Sequence, residues 1–445
     1  MKMARCFLPV LLLAAACGSG ADAANEGPTP TRDEAAFGDD ARAVAAEQAN
    51  AQASNGQEVP NPTGKSATLS TQGSVDFGSD FFEDFGTNGR TCGTCHGVGE
   101  GWSVSADLVR ARFDATNGLD PIFRTVDGSN SPNADVSTAA ARRQAYSMLI
   151  NRGTIRVGRP IPANAEFELV GVSDPYGFAS AAELSLFRRP LASANLNFAS
   201  GVMWDGRETQ ADVRVALSNQ ANGATLGHAE AAAPLPDVVR TSIVNFETAL
   251  SVAQLRDNVV GRLDVDGARG GPQALSTQAD VAGPFDIYNA WANISGNDPT
   301  SRGRRAIARG QALFNNPNAG AGGGACRGCH SVANVGTNAN DIFFDIGVSA
   351  GARRTPELPL YTLRNKATGA TRQTTDPGRA LTTGVWTDVD RFKTPNLRAL
   401  SSRAPYFHNG SAKTLEEVVR FYESSLGFVF TDAERNDLVA FLKAL

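Results

Sequence analysis

Hydrophobic and polar positions along the chain fall into blocks with different periods. Phe7 to Ala16 is an apolar run behind Lys2 and Arg5, too short to span a bilayer but of the length of a signal-peptide core. From Gly18 to about Ser74 small and polar residues dominate, and Phe37, Val44, Val59 and Leu69 stand isolated, so this stretch is expected to be a flexible tether. Order is expected from Val75, where Phe77, Phe81, Phe82 and Phe85 recur at spacings that fit one helix face. A second helical period runs from Asp237 to Leu250 through Val239, Ile243 and Phe246. A third is capped by Ser301 and carries Ile307, Gly310, Leu313 and Phe314 into a glycine-rich stretch at 320–324. Near the end, Thr414 with Glu417 and Thr431 with Glu434 read as capping boxes, and Leu438, Phe441, Leu442 and Leu445 share a face. Strand alternation is sparse. The pattern therefore predicts a mainly α chain with a signal peptide at 1–16, a tether at 17–74, and two domains at 75–254 and 301–445 joined by 255–300.

Composition narrows the class. The chain has 445 residues, 42% of them hydrophobic and 20% charged, with a formal charge of -5, so it carries no basic excess to neutralise phosphates and nucleic acid is a poor partner. No later stretch is apolar for the length that a membrane helix needs. Cys17 follows Leu13-Ala14-Ala15-Ala16, which resembles a lipobox and predicts a lipid anchor on the periplasmic side of the envelope, at the outer membrane because Gly18 rather than aspartate follows. Ordinary cleavage after Ala21-Asp22-Ala23 is the alternative.

Apart from Cys6 and Cys17, the cysteines form two Cys-x-x-Cys pairs, each followed directly by histidine: Cys92, Cys95, His96 and Cys326, Cys329, His330. That spacing is the c-type haem attachment pattern, in which two thiols on one turn bond the haem vinyls and the adjacent imidazole reaches the iron. The fold class expected is thus two c-type cytochrome domains in tandem, each with one covalently bound haem. A zinc site would find only two thiols and one imidazole in each motif, and pairing the motifs into a four-thiolate site would leave both histidines idle; a reversible disulfide is disfavoured by the adjacent histidine and by export. The distal ligand decides between electron carriage and catalysis. After Met203 the chain has no methionine, so the second domain cannot form a His/Met pair; its candidates are Tyr361, Tyr406, His408, Tyr422 and a few lysines. The first domain offers Met148, Met203 and His228.

Several further segments resemble the bacterial di-haem cytochrome c peroxidase and MauG family. They are Trp204-Asp205-Gly206-Arg207; Gln220-Ala221 with Glu230; Phe392 to Arg398; and Ala404 to Ser411 running into Thr414 to Tyr422. With both haem motifs they follow the family's order from about Phe77 to Leu445. The resemblance implies that Trp204 stands between the haems as an electron relay and that Glu230 assists peroxide O–O cleavage in the first pocket. It gives His228 no counterpart; that side chain could share the proton work, ligate the first iron or be structural. Tyr422 stands where the peroxidases carry methionine and MauG carries tyrosine, so the resemblance implies a MauG-like axial tyrosine on the second haem. No histidine lies between His96 and Trp204, where the peroxidases place a removable ligand, and the first haem is expected to be open. The family also binds calcium between its domains. Arg188-Arg189-Pro190 lies near that position, so calcium is left open and not predicted.

These expectations converge on an exported peroxidase-type oxidoreductase with two haem c groups and the haem iron held by His96, His330 and Tyr422. Hydrogen peroxide would react at the open haem, and an electron-donor protein or a partner's side chain would be oxidised through high-valent haem. The rival from another class is a lipid-anchored electron-transfer cytochrome without peroxidase activity.

Overall fold

The computed structural model describes residues 52–199, 201–279, 281–318 and 326–445. The expected signal peptide, Cys17, most of the expected tether and the glycine-rich stretch at 320–324 lie outside the described residues. Six longer helices run along the chain: α1 (Ala106–Thr116), α2 (Val213–Gly227), α3 (Asp237–Ala249), α4 (Pro299–Asn315), α5 (Leu415–Leu426) and α6 (Asp432–Lys443). Among the described residues there are also five small antiparallel sheets, so the expectation of a mainly α architecture gives way to a mixed helix-and-sheet fold.

The largest sheet corrects the tether. Strands Glu58–Asn61 and Gly64–Ser70 form a hairpin, and the second of them pairs along Leu250–Asp257, which in turn pairs with Gly261–Arg262. Residues 52–74 are therefore ordered. Isolated apolar residues gave no sign of this because the hairpin is anchored by polar contacts: the Asn61 amide donates to Gln254 Oε1 at 2.8 Å and to Ser402 Oγ at 3.1 Å in a buried network. Leu250–Leu255 escaped as a strand for a related reason. All six of these residues are buried, so they show no alternation and extend the apolar period of α3 without a break.

The stretch at 255–300 is likewise more than a connector. Val260, Leu263, Phe285, Ile287, Tyr288 and Trp291 belong to the same buried cluster as Ile307 and Phe314 of α4 and Leu438 and Phe441 of α6. A second cluster gathers Phe81, Trp102, Phe246, Leu250 and Val252. The phenylalanines before the first cysteine pair do not form the expected helix. Only Asp80–Phe82 makes a short 3-10 turn, because the Asp76 carboxylate takes the Gly78 N–H and turns the chain. Phe81 and Phe82 then stack around Phe246 at centroid distances of 5.0 and 5.5 Å.

Helix ends agree closely with sequence chemistry. Helix α6 starts with the reciprocal Thr431–Glu434 capping box. Thr414 caps α5 by accepting from the Glu417 N–H, but the Glu417 carboxylate accepts from the Lys413 N–H, so that box is half made. Asp298, not Ser301, caps α4. Of the smaller sheets, one runs Leu360–Asn365 between Phe167–Ser173 and Thr371–Thr374, and another pairs Ile155–Arg159 with Leu184–Arg188, which delivers Arg188 to the middle of the molecule.

Helices α4 and α6 meet at Gly310. A Cβ there would stand 1.9 Å from the Asp437 carbonyl oxygen, a backbone atom that cannot swing away. Gly310→Ala should therefore cost about 1–3 kcal/mol through overpacking despite the better helix propensity of alanine. Thermal melting checks this; an unchanged or higher midpoint would contradict the close approach.

Candidate haem cavities

Two cavities open on either side of a shared wall. The first, with about 1630 Å³ of empty space including its mouth, is lined by Cys92, Cys95 and His96. The second, about 1460 Å³, is lined by Cys326, Cys329 and His330. The four thiols are thus kept in separate pairs, and all are free. Burial pushes Cys92 and Cys326 up to about 12 and Cys95 and Cys329 up to about 11, so they remain protonated thiols. Among the described residues no three His, Cys, Asp or Glu side chains are grouped to hold a metal ion.

The histidines are prepared in the same way in both motifs. His96 Nδ1 donates to the Trp102 carbonyl at 3.1 Å and His330 Nδ1 to the Gly336 carbonyl at 2.5 Å, each six residues downstream. A carbonyl oxygen only accepts, so Nδ1 carries the hydrogen and Nε2 keeps a free lone pair. Burial lowers both imidazoles, His330 to about 4, which keeps them neutral and ligating. Two thiols, a neutral imidazole with its second nitrogen anchored, and a largely apolar cavity fit a c-type haem in each case. Buried cations suit its propionates as well. Arg189 and Arg403 line both cavities, and the Nε of each is buried without a partner. Burial lowers Arg189 to about 9 and Arg403 to about 10.

The shared wall is built from two stretches and one tryptophan that line both cavities: Arg189 to Leu191, Trp204, and Lys393, Pro395, Asn396 and Arg403. Trp204 lines both cavities, and its indole N–H donates to the Arg189 carbonyl at 2.8 Å. Its neighbour Asp205 is fully buried and accepts from Arg188 at 2.7 Å and Arg207 at 3.0 Å. Arg188 also grips Asp376 through two bonds of 2.7 and 2.8 Å. Asp205 and Asp376 are thereby both engaged by a protein cation, so this position does not fit a calcium ion. Gly206 adopts a φ of +66°, and a Cβ there would meet the Phe343 ring at 2.3 Å, which explains the glycine in the motif.

The remaining expected residues separate. Tyr422, on α5, lines the second cavity with His408 and Tyr406. Burial, reinforced by the Cys326 and Cys329 thiols, holds the Tyr422 phenol well above its usual range, and its hydroxyl has no hydrogen-bond partner among the described residues. His408 stacks on Phe392 at 4.0 Å, and its buried Nε2 makes no hydrogen bond but lies 3.8 Å from the Asp376 carboxylate. Tyr361 is used structurally, bonded at both ends of its hydroxyl to the Ser185 backbone. Met148 is buried against Phe187 and Leu358, away from both cavities, whereas Met203, Gln220 and His228 line the first.

Glu230 departs from expectation. After α2 ends, it takes a left-handed φ of +57° that turns its side chain outward, where the carboxylate accepts from Asn88 at 2.8 Å; it is exposed and does not line the first cavity. A different carboxyl does. Glu247 on α3 is 5% exposed, lines that cavity, and has one oxygen buried without a partner. Its only sequence signal was a place beside Phe246 in an apolar helical period, which carries no hint of chemistry.

No protein-family model matches the chain. The cytochrome-c peroxidase IdrP1 of Denitromonas iodatirespirans is 32% identical over 186 residues, 36% of this chain and 44% of its own. The methylamine utilization protein MauG of Methylorubrum extorquens is 29% identical over 294 residues, 62% of this chain and 68% of its own length. The chain is thus similar to cytochrome c peroxidases and to MauG proteins. The MauG of Methylophilus methylotrophus, 26% identical over 285 residues, extends the same relation. That similarity supports haem c as the cofactor. The chain spans 36 to 44% of the length of the first cytochrome c peroxidases that it matches.

Burial alone raises the Glu247 carboxyl from 4.5 to about 8. Between those values the unfolded chain releases a proton that the folded chain retains, so stability falls as pH rises through this window. Glu247→Gln in the haem-loaded protein should remove that contribution. Melting midpoints compared at pH 5 and pH 8 should fall less in the variant than in the wild type; equal falls would show that Glu247 is not held protonated.

Proposed function

We propose that the protein is a di-haem c-type oxidoreductase that reduces hydrogen peroxide at the first cavity and oxidises an external electron donor or a side chain of a partner protein. The observation that carries this reading is the pair of cavities, each lined by a complete Cys-x-x-Cys-His motif, meeting at one wall that contains Trp204. In this reading Cys92 and Cys95 hold one haem and Cys326 and Cys329 the other, with His96 and His330 as proximal iron ligands. Bound haem supplies the redox chemistry, accepting and returning the two electrons that peroxide reduction requires.

The chain's own groups divide the labour between the cavities. Tyr422 lines the second cavity and would serve there as a second iron ligand, for which its buried phenol would need a neighbouring cation to lose its proton. The first cavity has no tyrosine in its lining; it presents His228, Met203 and Gln220 instead, leaving small molecules to that side. His228 is the group there suited to exchange protons with a bound peroxide, and Trp204 gives electrons an aromatic path through the wall. Export to the periplasmic side of the envelope, with Cys17 as lipid anchor, goes with this reading, since it places the protein where donor proteins and peroxide meet it. Among the described residues no helix is long and apolar enough to cross a membrane.

Stoichiometric peroxide added to the haem-loaded protein, followed in the Soret and near-infrared bands, tests the activity. A rapid spectral change and a haem that binds cyanide are expected; two haems that bind no cyanide and ignore peroxide would overturn the reading in favour of an electron carrier. Tyr422→Phe addresses the ligand separately. Electron paramagnetic resonance should show a changed low-spin signal with the other haem unaltered, and an unchanged spectrum would refute the axial role.

A further inference from the structure

The first cavity contains a hydrogen-bonded chain that neither the haem motifs nor the family segments include. His228 follows the last turn of α2, where its N–H bonds the Ala224 carbonyl at 2.7 Å, and its ring reaches the cavity wall. The ring Nδ1 contacts Asp127 Oδ2. Asp127 is 4% exposed, and its other oxygen takes Arg90. Arg90 is buried too and is held by the Pro121 carbonyl at 2.9 Å and the Ile122 carbonyl at 2.6 Å, while also reaching the His228 carbonyl at 3.2 Å. Burial opposes the Asp127 charge, but His228 and Arg90 outweigh it and hold the carboxyl below its ordinary range.

A carboxylate only accepts hydrogen bonds, so the bond to Asp127 places the hydrogen on Nδ1 and leaves Nε2 as the basic nitrogen. Three residues far apart in sequence thus fix the tautomer and the angle of one imidazole on the wall of the cavity that also holds His96.

We infer that Asp127 is the positioning residue of the first cavity: with Arg90 behind it, it orients His228 so that Nε2 takes the proton of a weak acid entering the cavity, hydrogen peroxide or hydrogen cyanide. The H–O bond of peroxide, or the H–C bond of hydrogen cyanide, breaks as the N–H bond at Nε2 forms; the products are the conjugate anion and an imidazolium whose charge the Asp127 carboxylate offsets. No electrons are exchanged in this step. The inference rests on the reading that peroxide is handled in the first cavity.

The test uses the haem-loaded protein and its rate of cyanide association, which needs no turnover, beside the rate of reaction with peroxide. Asp127→Asn removes the fixed acceptor and frees the ring to present the wrong nitrogen, and His228→Gln removes the base. Each should slow both rates about 10² to 10⁴-fold for the base and less for its orienter, and Asp127→Asn should add nothing in the His228→Gln background. Additive losses would assign Asp127 a merely structural role and overturn the inference. If Asp127→Asn does not fold, the half-exposed His228 still decides it: wild-type rates in His228→Gln overturn it, as does a low-spin haem turned high-spin by that substitution, which would make His228 an iron ligand. A wild type that binds cyanide at rates dependent on Asp127 but leaves peroxide unreduced would sink the functional reading alone. One that binds neither overturns both.

Discussion

A guanidinium buried among carboxylates is tolerable only when its N–H groups find acceptors and the charges cancel. Arg188 meets that condition through Asp376 and Asp205, with Arg207 balancing the second carboxylate. Strand Leu184–Arg188, the turn at Asp205 and the loop at Asp376 come from three regions of the chain, and this ion cluster is where they join. Trp204 inherits its place from it, since its neighbour Asp205 is pinned on one side while its indole is held by Arg189, the residue after Arg188. Removing one partner would leave an uncompensated charge in the interior, which typically costs about 3–5 kcal/mol. The wall between the cavities is therefore rigid for an electrostatic reason.

What the sequence revealed and what it hid follow from the range of the interactions concerned. Local patterns were legible: the two Cys-x-x-Cys-His runs, the Thr431–Glu434 box and the helical period of Asp237 to Ala249 each depend on residues within a turn or two of one another. The hairpin at 58–70 was not, because its partner strand lies about 190 residues away and its anchors are Asn61, Gln254 and Ser402 rather than an alternating apolar face. The segment at 255–300 looked like a linker for the same reason; its aromatic residues find their partners in α4 and α6.

At the site the division is similar. Trp204 and Tyr422 were singled out by position in family-like segments, and the structure puts each on a cavity wall. Glu230 was singled out in the same way, yet a two-residue turn after α2 carries it outside. Asp127 and Glu247 could not have been read from the chain. One sits in a loop whose meaning depends on a histidine 101 positions later, and the other is chemically conspicuous only because burial leaves one of its oxygens unpartnered.

The composition of the shared wall also has a consequence in time. Synthesis proceeds from the N-terminus, so Cys92, Cys95 and His96 emerge long before Lys393, Pro395, Asn396 and Arg403, which complete the lining of the same cavity. Until about residue 403 has emerged, the first cavity is a trough with one side missing. A flat, rigid group can be delivered to the thiols across that open side, and the last third of the chain then closes over it. Under the proposed function, the order in which the chain appears would let covalent attachment precede closure of the cavity.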